Sequence, residues 1–550
     1  MTNAESLRVG IAGACGRGAS FKAACDALGI RIQAVCDVNA AGLAAAAERL
    51  GAREKFTDYD AMLEQCELDA VIIGTPMPLH VPQALAALKR DLHVLSEVPA
   101  GVSVDECREL VLAGRTGRGV YMMAENYTYI RSNAIVREIV RRGLFGATYY
   151  GEGEYLHELK ELNEITRWRR KWQTGINGIT YPTHSLGPIL QWMPGDRVVS
   201  VCCSGSGHHF KDPRGDDYEN EDSCVMLCKM RSGGLVKIRV DMLSDRPHAM
   251  TNYQLQGVDG CYESARGPGE RNKIWLRSRC SSMNDWLDLA TLEDEFLPEF
   301  WRKTQDAAQR AGHGGGDYFE VLDFVDAALG RRPSPVGIHE AMDMTLPGLI
   351  SQLSIARGGC WLDVPDSRQW TGPALRQLHM TWPQNRLNDP PRAAVPDGYV
   401  LRQYDDADEP ACIELMAKAG FTGWTHDRVT ATIRSILPGG FFLAVHRATG
   451  KAVATALAQH SPTDLHPFGG ELGWVAGDSD HKGKGLGMAV CAAATERLIQ
   501  AGYRNIRLQT DDIRLAAIKT YLKLGFQPFL YAPDMEQRWQ AVLKELRWQG

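Results

Sequence analysis

Apolar positions in the first quarter of the chain come in short unbroken runs: LRVGIAG from Leu7, IQAVCDV from Ile32, AVIIGT from Ala70, HVLSEVP from His93 and GVYMMAEN ending at Asn126. Between them lie Ala/Leu-rich stretches such as AAGLAAAAERLG and HVPQALAALKR, whose apolar residues recur at helical spacing. Wholly apolar strands joined by helical crossovers predict a parallel, doubly wound sheet with both faces covered. The pattern then switches to alternation in ATYYGEGEYLH, RVVSVCCSG, SCVMLCKM, GLVKIRVDM, TNYQLQGVDG and GCYESA, as far as about residue 266. Alternation predicts a mostly antiparallel sheet with one face left for solvent or a partner. Helical segments DYFEVLDFVDAAL and GIHEAMDMTLPGLISQLSIA follow.

The Pro-rich stretch from Thr381 to Gly398, containing NDPPRAAVPDG, has turn chemistry without periodicity and reads as a linker. A separate α/β pattern fills Tyr399 to Gly550. The expected division is therefore 1–125, 126–380, linker 381–398 and 399–550, an α/β and α+β multidomain protein. The 550 residues are too many for one core, which agrees. Hydrophobic residues at 44% and charged residues at 23% are ordinary for a globular chain. A net charge of -6 gives no general attraction to nucleic acid or anionic membrane. The opening MTNAESLRVGIAGA carries no leader pattern, no apolar run is long enough to span a bilayer, and the fourteen cysteines are scattered without metal spacing. A cytoplasmic protein with reduced thiols, no metal, no membrane contact and no nucleic-acid partner is expected.

Candidate chemistry begins at Gly13-Ala14-Cys15-Gly16-Arg17-Gly18, between a strand and a helix, where backbone N–H groups can cradle a pyrophosphate. Cys15 stands where the usual second glycine lies, so the loop alone could be a tight turn. Asp37 ends the second apolar strand where a carboxylate accepts the adenosine ribose hydroxyls, an arrangement of the Rossmann type that favours NAD over NADP. Gly74-Thr75-Pro76 and Glu97-Val98-Pro99 close later strands at the edge where ligands bind.

The order RVGIAGACGRG, VCD, IIGTPMPLH and SEVP resembles the Gfo/Idh/MocA oxidoreductases over roughly residues 7–375. Most members carry EKP, whose lysine assists catalysis; here that lysine is Val98. EVPA, RRGLFG, GEGEYLHEL, YPTHSLGP and GHGGGD are similar to the NAD-dependent glycosidase subgroup of the α-N-acetylgalactosaminidase type. The resemblance implies glycoside cleavage by a redox detour, in which the sugar C3 hydroxyl is oxidised, the acidified C2 proton is removed, the C1 group is eliminated, water adds and hydride returns. It implies cofactor contacts at Gly13, Cys15, Gly16, Arg17, Gly18, Asp37, Thr75, Pro76, His80, Glu97 and Val98. It implies Tyr181 as the C2 base, His184 beside the oxidised hydroxyl, Glu152 and His157 as further catalytic groups, and Asn126 and His313 as substrate contacts. On a straight strand Glu152 and His157 point to opposite faces, so a bulge or the strand's end has to intervene if both act. Trp168, Arg169 and Trp172 form a sugar-stacking wall or core.

In the last segment a strand runs through Lys482-Gly483-Lys484-Gly485-Leu486-Gly487 into an Ala-rich helix, a second phosphate-binding turn. With RNIRLQTD and LAAIKTYLKLGFQPF it resembles the GNAT acetyltransferases, Lys482 replacing the usual Gln or Arg. That likeness implies acetyl-CoA held by residues 482–487, Tyr521 protonating the leaving thiolate and Glu471 deprotonating an amine. Expected, then, is a bifunctional sugar-active enzyme that cleaves glycosides with NAD and acetylates an amine such as an amino sugar. It is expected to self-associate through the open sheet of its second domain. The alternatives are an NAD-dependent sugar dehydrogenase fused to an acetyltransferase, and a cofactor-binding regulatory protein.

Overall fold

The computed structural model describes residues 7–548 apart from 248, 373–375, 422–423, 464 and 533; the side chains of 305, 307–309, 427 and 431 also lie outside it. Residues 1–6, which entered the expectation of no leader, lie outside the described residues. The chain divides into two units, residues 1–374 and 375–550. No helix among the described residues is long and apolar enough to cross a membrane.

Unit one begins with β1 (Arg8–Ala12), β2 (Arg31–Cys36), β3 (Glu54–Phe56), β4 (Ala70–Ile73), β5 (His93–Ser96) and β6 (Tyr121–Met123). They form a parallel sheet in the order β3-β2-β1-β4-β5-β6, with the reversal of strand order at β1 and β4 that opens a crevice at the strand ends. Ile11, Val35, Val71 and Leu95 are completely buried, as unbroken apolar strands require. The crossover helices are punctuated by their own sequence: the Asn39, Asp58 and Ser103 side chains cap Ala40–Leu50, Tyr59–Gln65 and Val104–Thr116.

A second sheet holds β7 (Thr148–Leu156), β8 (Val198–Gly205), β9 (Ser223–Met230), β10 (Leu235–Asp241), β11 (Thr251–Gly257), β12 (Gly260–Glu263), β13 (Lys273–Leu276), β14 (Leu287–Asp288) and β15 (Leu362–Asp363). Its order is β14-β13-β12-β11-β7-β10-β9-β8-β15, and the central β7–β10 pair is parallel within an otherwise antiparallel sheet. Helices Thr183–Gln191 and Ile338–Ala356 pack on it. A Cβ on Gly153 would fall on the Ser185 carbonyl, so the bare glycine of GEGEYLHEL lets helix Thr183–Gln191 lie close on β7.

Unit two contains β16 (Leu378–Thr381), β17 (Tyr399–Gln403), β18 (Ile436–His446), β19 (Ala452–His460), β20 (Gly470–Gly477), β21 (Ile506–Thr510) and β22 (Gln527–Phe529). The order is β17-β18-β19-β20-β21-β16-β22. This corrects the expected boundary at 380/381: β16 pairs antiparallel with both β21 and β22, and Leu378, Met380 and Trp382 sit in the core of this unit. Four alternating residues ahead of a Pro-rich stretch carry no mark of which sheet they join, and the residue pattern alone put them on the wrong side of the division.

Candidate functional site

At the strand ends of unit one the glycine loop is shaped by close backbone approach. Gly13 has φ +81°, and a Cβ there would meet the Gly74 carbonyl; a Cβ on Gly18 would come within 2.8 Å of the Ala12 and Gly13 carbonyls. Gly16 has no such crowding, with its nearest contact at 3.8 Å, and opens the short helix Arg17–Phe21 without a side-chain cap. Uncapped N–H groups beside a crowded Gly13–Gly18–Gly74 stack suit a pyrophosphate. Asp37 follows β2 and accepts the Cys15 N–H at 2.8 Å and the Asn39 N–H at 2.9 Å, so Cys15 contributes its backbone where a glycine was expected.

Thr75, Pro76, His80, Glu97 and Val98 line the same cleft, about 380 Å³ in volume. His80 is buried with one ring nitrogen 2.8 Å from the Pro99 carbonyl oxygen and the other 2.9 Å from that of Thr75, tying the ends of β4 and β5 together. Burial pushes its imidazole below the usual range. Arg17 is committed to carboxylates: Nε donates to Glu97 at 2.6 Å, and its two terminal nitrogens bind Asp317 at 2.8 and 3.0 Å. Its expected contact with a cofactor phosphate thus has to compete with a bidentate ion pair.

The opposite wall comes from the second sheet and its helices. Tyr155, the last inward-facing residue of β7, Tyr181 before helix Thr183–Gln191 and His184 in its first turn converge: ring centres of Tyr181 and His184 are 5.1 Å apart, and those of Tyr155 and Tyr181 are 5.5 Å apart. His184 Nδ1 lies 2.8 Å from the Glu125 carboxylate, which is fully buried, and the His184 carbonyl accepts the Tyr253 hydroxyl at 2.5 Å. A carboxylate on Nδ1 fixes the proton there and leaves Nε2 as an acceptor, the arrangement a proton-transferring imidazole uses. Burial pushes the Tyr181 phenol well above its usual range, with Tyr155 and Glu97 acting the same way.

His157 lines the cleft with Nδ1 2.8 Å from the Tyr155 hydroxyl. Glu152 does not reach it. The β7 register runs without a bulge from Tyr150 to Leu156, so Glu152 faces away from the helices and binds the Tyr150 hydroxyl at 2.5 Å and the Lys237 ammonium. The expected catalytic role of Glu152 is corrected on this ground. Trp168 and Arg169 line the cleft, the guanidinium 4.5 Å from the indole centre, whereas Trp172 is not among the lining residues.

His313 sits in a run of positive φ, from Gly312 at +91° through His313 at +45° to Gly315 at +96°, which GHGGGD affords and few other sequences would. Its Nδ1 meets Asp317 at 2.9 Å, and Asn126 Nδ2 donates to the same carboxylate at 2.9 Å. Burial opposes ionisation of Asp317, yet the bonds from His313 and Arg17 hold its carboxyl below the usual range. Asn126 Oδ1 and Glu125 Oε2 are buried without a partner. Glu125, Tyr155 and Asp317 were missed from the sequence although each stands inside or beside a quoted motif.

In unit two β20 and β21 pair only at Gly470↔Ile506 and Glu471↔Arg507 and then part. Trp474, at φ +47°, marks an irregularity in β20. Between the strands lies a cleft of about 360 Å³ lined by Glu471, Trp474, Asp511, Arg514 and Tyr521. Glu471 is ion-paired at 2.9 Å with the buried Arg507, so a proton from an acceptor has to reach its other oxygen or travel through water. Burial pushes the Tyr521 phenol up, which keeps it a proton donor. Beyond β20, Gly483 and Gly485 both have φ +82°, and helix Leu486–Gln500 starts with no side-chain cap and no acid in its first turn. A Cβ on Gly487 would meet nothing within 4 Å, so the turn offers free N–H groups and open space to a pyrophosphate. Lys482 ends the preceding turn, and Lys484 Nζ donates to the Tyr399 hydroxyl at 3.0 Å.

Three family descriptions match the chain: "Oxidoreductase family, NAD-binding Rossmann fold" over residues 7–124, "Glycosyl hydrolase 109, C-terminal domain" over 129–371 and "Acetyltransferase (GNAT) family" over 409–526. A glycosyl hydrolase family 109 protein of Saccharopolyspora erythraea is 32% identical over 392 residues, 66% of this chain and 83% of that one. A protein named alpha-N-acetylgalactosaminidase from Shewanella oneidensis is 28% identical, over 66% of this chain and 85% of its own length. Among solved structures, levoglucosan dehydrogenase with NADH and levoglucosan superposes with a TM-score of 0.57 at 19% identity, covering 66% of this chain and 99% of that one. An oxidoreductase domain protein of Kribbella flavida does so with a TM-score of 0.56 at 20% identity, over 66% of this chain and 100% of its own. At these identities the two structures speak for the fold.

Proposed function

Since the chain belongs to glycosyl hydrolase family 109 through its first unit and is an enzyme with an NAD-binding half and a GNAT acetyltransferase half, we propose that it cleaves a glycoside by transient oxidation and acetylates an amino sugar. The observation that carries the first activity is the cluster of Tyr181, His184 and Glu125 facing the glycine loop across one cleft. NAD, when bound, supplies the hydride acceptor and donor and brings a positive charge into the cleft. His184, its Nδ1 held by Glu125, takes the proton of the sugar C3 hydroxyl on Nε2. Tyr181, its ring centre 5.1 Å from that of His184, is the base at C2: its own phenol proton passes to solvent first, and the phenolate then takes the C2 proton. Trp168 offers a ring face to the sugar, and the relative named alpha-N-acetylgalactosaminidase makes N-acetylgalactosaminides the first substrates to try.

In unit two the acceptor cleft is lined by Ser435, Gln459, Ser461 and Gln509 together with Trp474, hydroxyls and amides beside an aromatic face, which suits a hydroxyl-rich amine. Self-association through the open face of the second sheet belongs to the same proposal. An aryl-glycoside panel in deuterated water tests the first activity: phenol release without accumulating NADH and with deuterium at product C2 is expected. Stoichiometric NADH would point to a net dehydrogenase, and release without C2 label would exclude the elimination route.

A further inference from the structure

The dinucleotide of a Rossmann sheet lies across the strand ends with its adenosine toward β2, here Asp37, and its nicotinamide over the β4–β5 side. Carboxylates gather on that second side. Glu97 directly follows β5, Glu125 lies two residues beyond β6, and Asp317 and Glu320 project from helix Gly316–Ala328. All four are buried. The cation set among them is Arg17, bound to Glu97 and to both oxygens of Asp317, with Glu320 3.7 Å away. Glu125 faces His184, and its second oxygen is buried without a partner. Arg169 stands on the far wall over Trp168, and the cleft is further lined by the imidazoles of His80, His157, His184 and His313 and the phenols of Tyr155 and Tyr181. Burial pushes the Glu320 carboxyl well above its usual range, which leaves the Glu97, Glu125 and Asp317 carboxyls facing the two guanidinium groups. The Tyr127 phenol lies among these groups: burial raises it to about 12, Glu125 and Asp317 push it the same way, and Arg17 opposes them.

We propose that Glu97, Glu125 and Asp317 set the oxidation state in which the cofactor rests, favouring the positively charged nicotinamide of NAD+ over the neutral ring of NADH. A unit charge a few ångströms from an ion at an effective dielectric constant of about 20 contributes enough for at least a tenfold preference. A cycle that starts with oxidation of the sugar and ends by returning hydride needs such a bias, because cofactor stranded as NADH is inactive. The purpose rests on the glycosidase reading, but the charge argument needs only NAD.

Calorimetric titration of the full-length protein with NAD+ and with NADH, without sugar, tests the proposal. The wild type is expected to bind NAD+ at least tenfold more tightly. Glu125→Gln and Glu97→Gln are each expected to cut that ratio about tenfold, through weaker NAD+ binding, with circular dichroism confirming the fold. Glu320→Gln is expected to leave the ratio unchanged. NADH bound as tightly as NAD+ by the wild type overturns the proposal without reference to any variant. So does an unchanged ratio in a folded charge variant, or a ratio that falls as far in Glu320→Gln, which would mark packing rather than charge. A protein that keeps the NAD+ preference but cleaves no glycoside would sink the functional reading and leave this inference standing.

Discussion

Removing β16 is expected to unfold the acetyltransferase. The perturbation is a choice of starting residue: one fragment spans 376–550, the other 399–550, cut after the Pro-rich stretch. The shorter fragment lacks Leu378 and Met380, both fully buried, and Trp382, 2% exposed, all three in the core of the unit. At ~1.5–3 kcal/mol for each fully buried large apolar side chain, their loss amounts to about 5–9 kcal/mol, before the ladders to β21 and β22 are considered. A domain's whole stability is about 5–15 kcal/mol, so the deficit is comparable to everything that holds the unit folded. Guanidinium unfolding followed by far-ultraviolet dichroism, with acetyl-CoA titration of each fragment, makes the comparison. Residues 376–550 should unfold cooperatively and bind acetyl-CoA; residues 399–550 should do neither. If the shorter fragment unfolds cooperatively with a midpoint near that of the longer one, the energetic role given to β16 is wrong.

The same strand carries an acid-sensitive group: burial, with His466 and Arg507 beside it, pushes the His379 imidazole down to about 4. The unfolded chain, with an imidazole near 6.5, therefore binds the proton first, and stability that is whole above pH 6.5 is lost as pH falls toward 4; unfolding free energies of residues 376–550 from denaturant titrations at pH 7 and 4.5 should differ by about 2–3 kcal/mol, and His379→Phe should abolish most of the difference. Asp37→Ala should weaken NAD at least about tenfold while NADP binding holds or improves; equal losses for both would mean that Asp37 serves only the Cys15 and Asn39 N–H groups. Gly485→Trp, at a position with φ +82°, should remove acetyl-CoA binding and leave NAD binding untouched in the full chain, as calorimetry with both ligands would read.

Much of this was legible in the sequence because the signals were local. Unbroken apolar runs gave the parallel sheet, and glycines between strand and helix marked both phosphate turns. Tyr181 and His184 could be paired from a four-residue motif. What escaped was set by tertiary geometry. Glu152 and Tyr155 share one motif, but which of them faces the cleft depends on which side helix Thr183–Gln191 covers, and Gly153 decides that only once the helix is in place. Glu125 looks like the polar end of β6 until His184 arrives from a segment distant in the chain. Arg17 reads as a phosphate contact, yet Asp317 reaches it from helix Gly316–Ala328. The boundary error at β16 has the same origin, since strand pairing is not written in four residues.

The place of β16 also orders events at the ribosome. Leu378 leaves the tunnel before any other strand of its sheet, but its partner Thr510 lies far downstream, past β17 to β20. At ~5–20 residues per second, the strand waits on the order of ten seconds for the neighbours that flank it. During that interval LHMTW is an apolar segment with unsatisfied backbone on both edges, the kind of stretch that nascent-chain chaperones hold. The acetyltransferase therefore closes late and through a pairing of high sequence separation, which slows folding. The strand that completes the second enzyme is made at the moment the first one is finished.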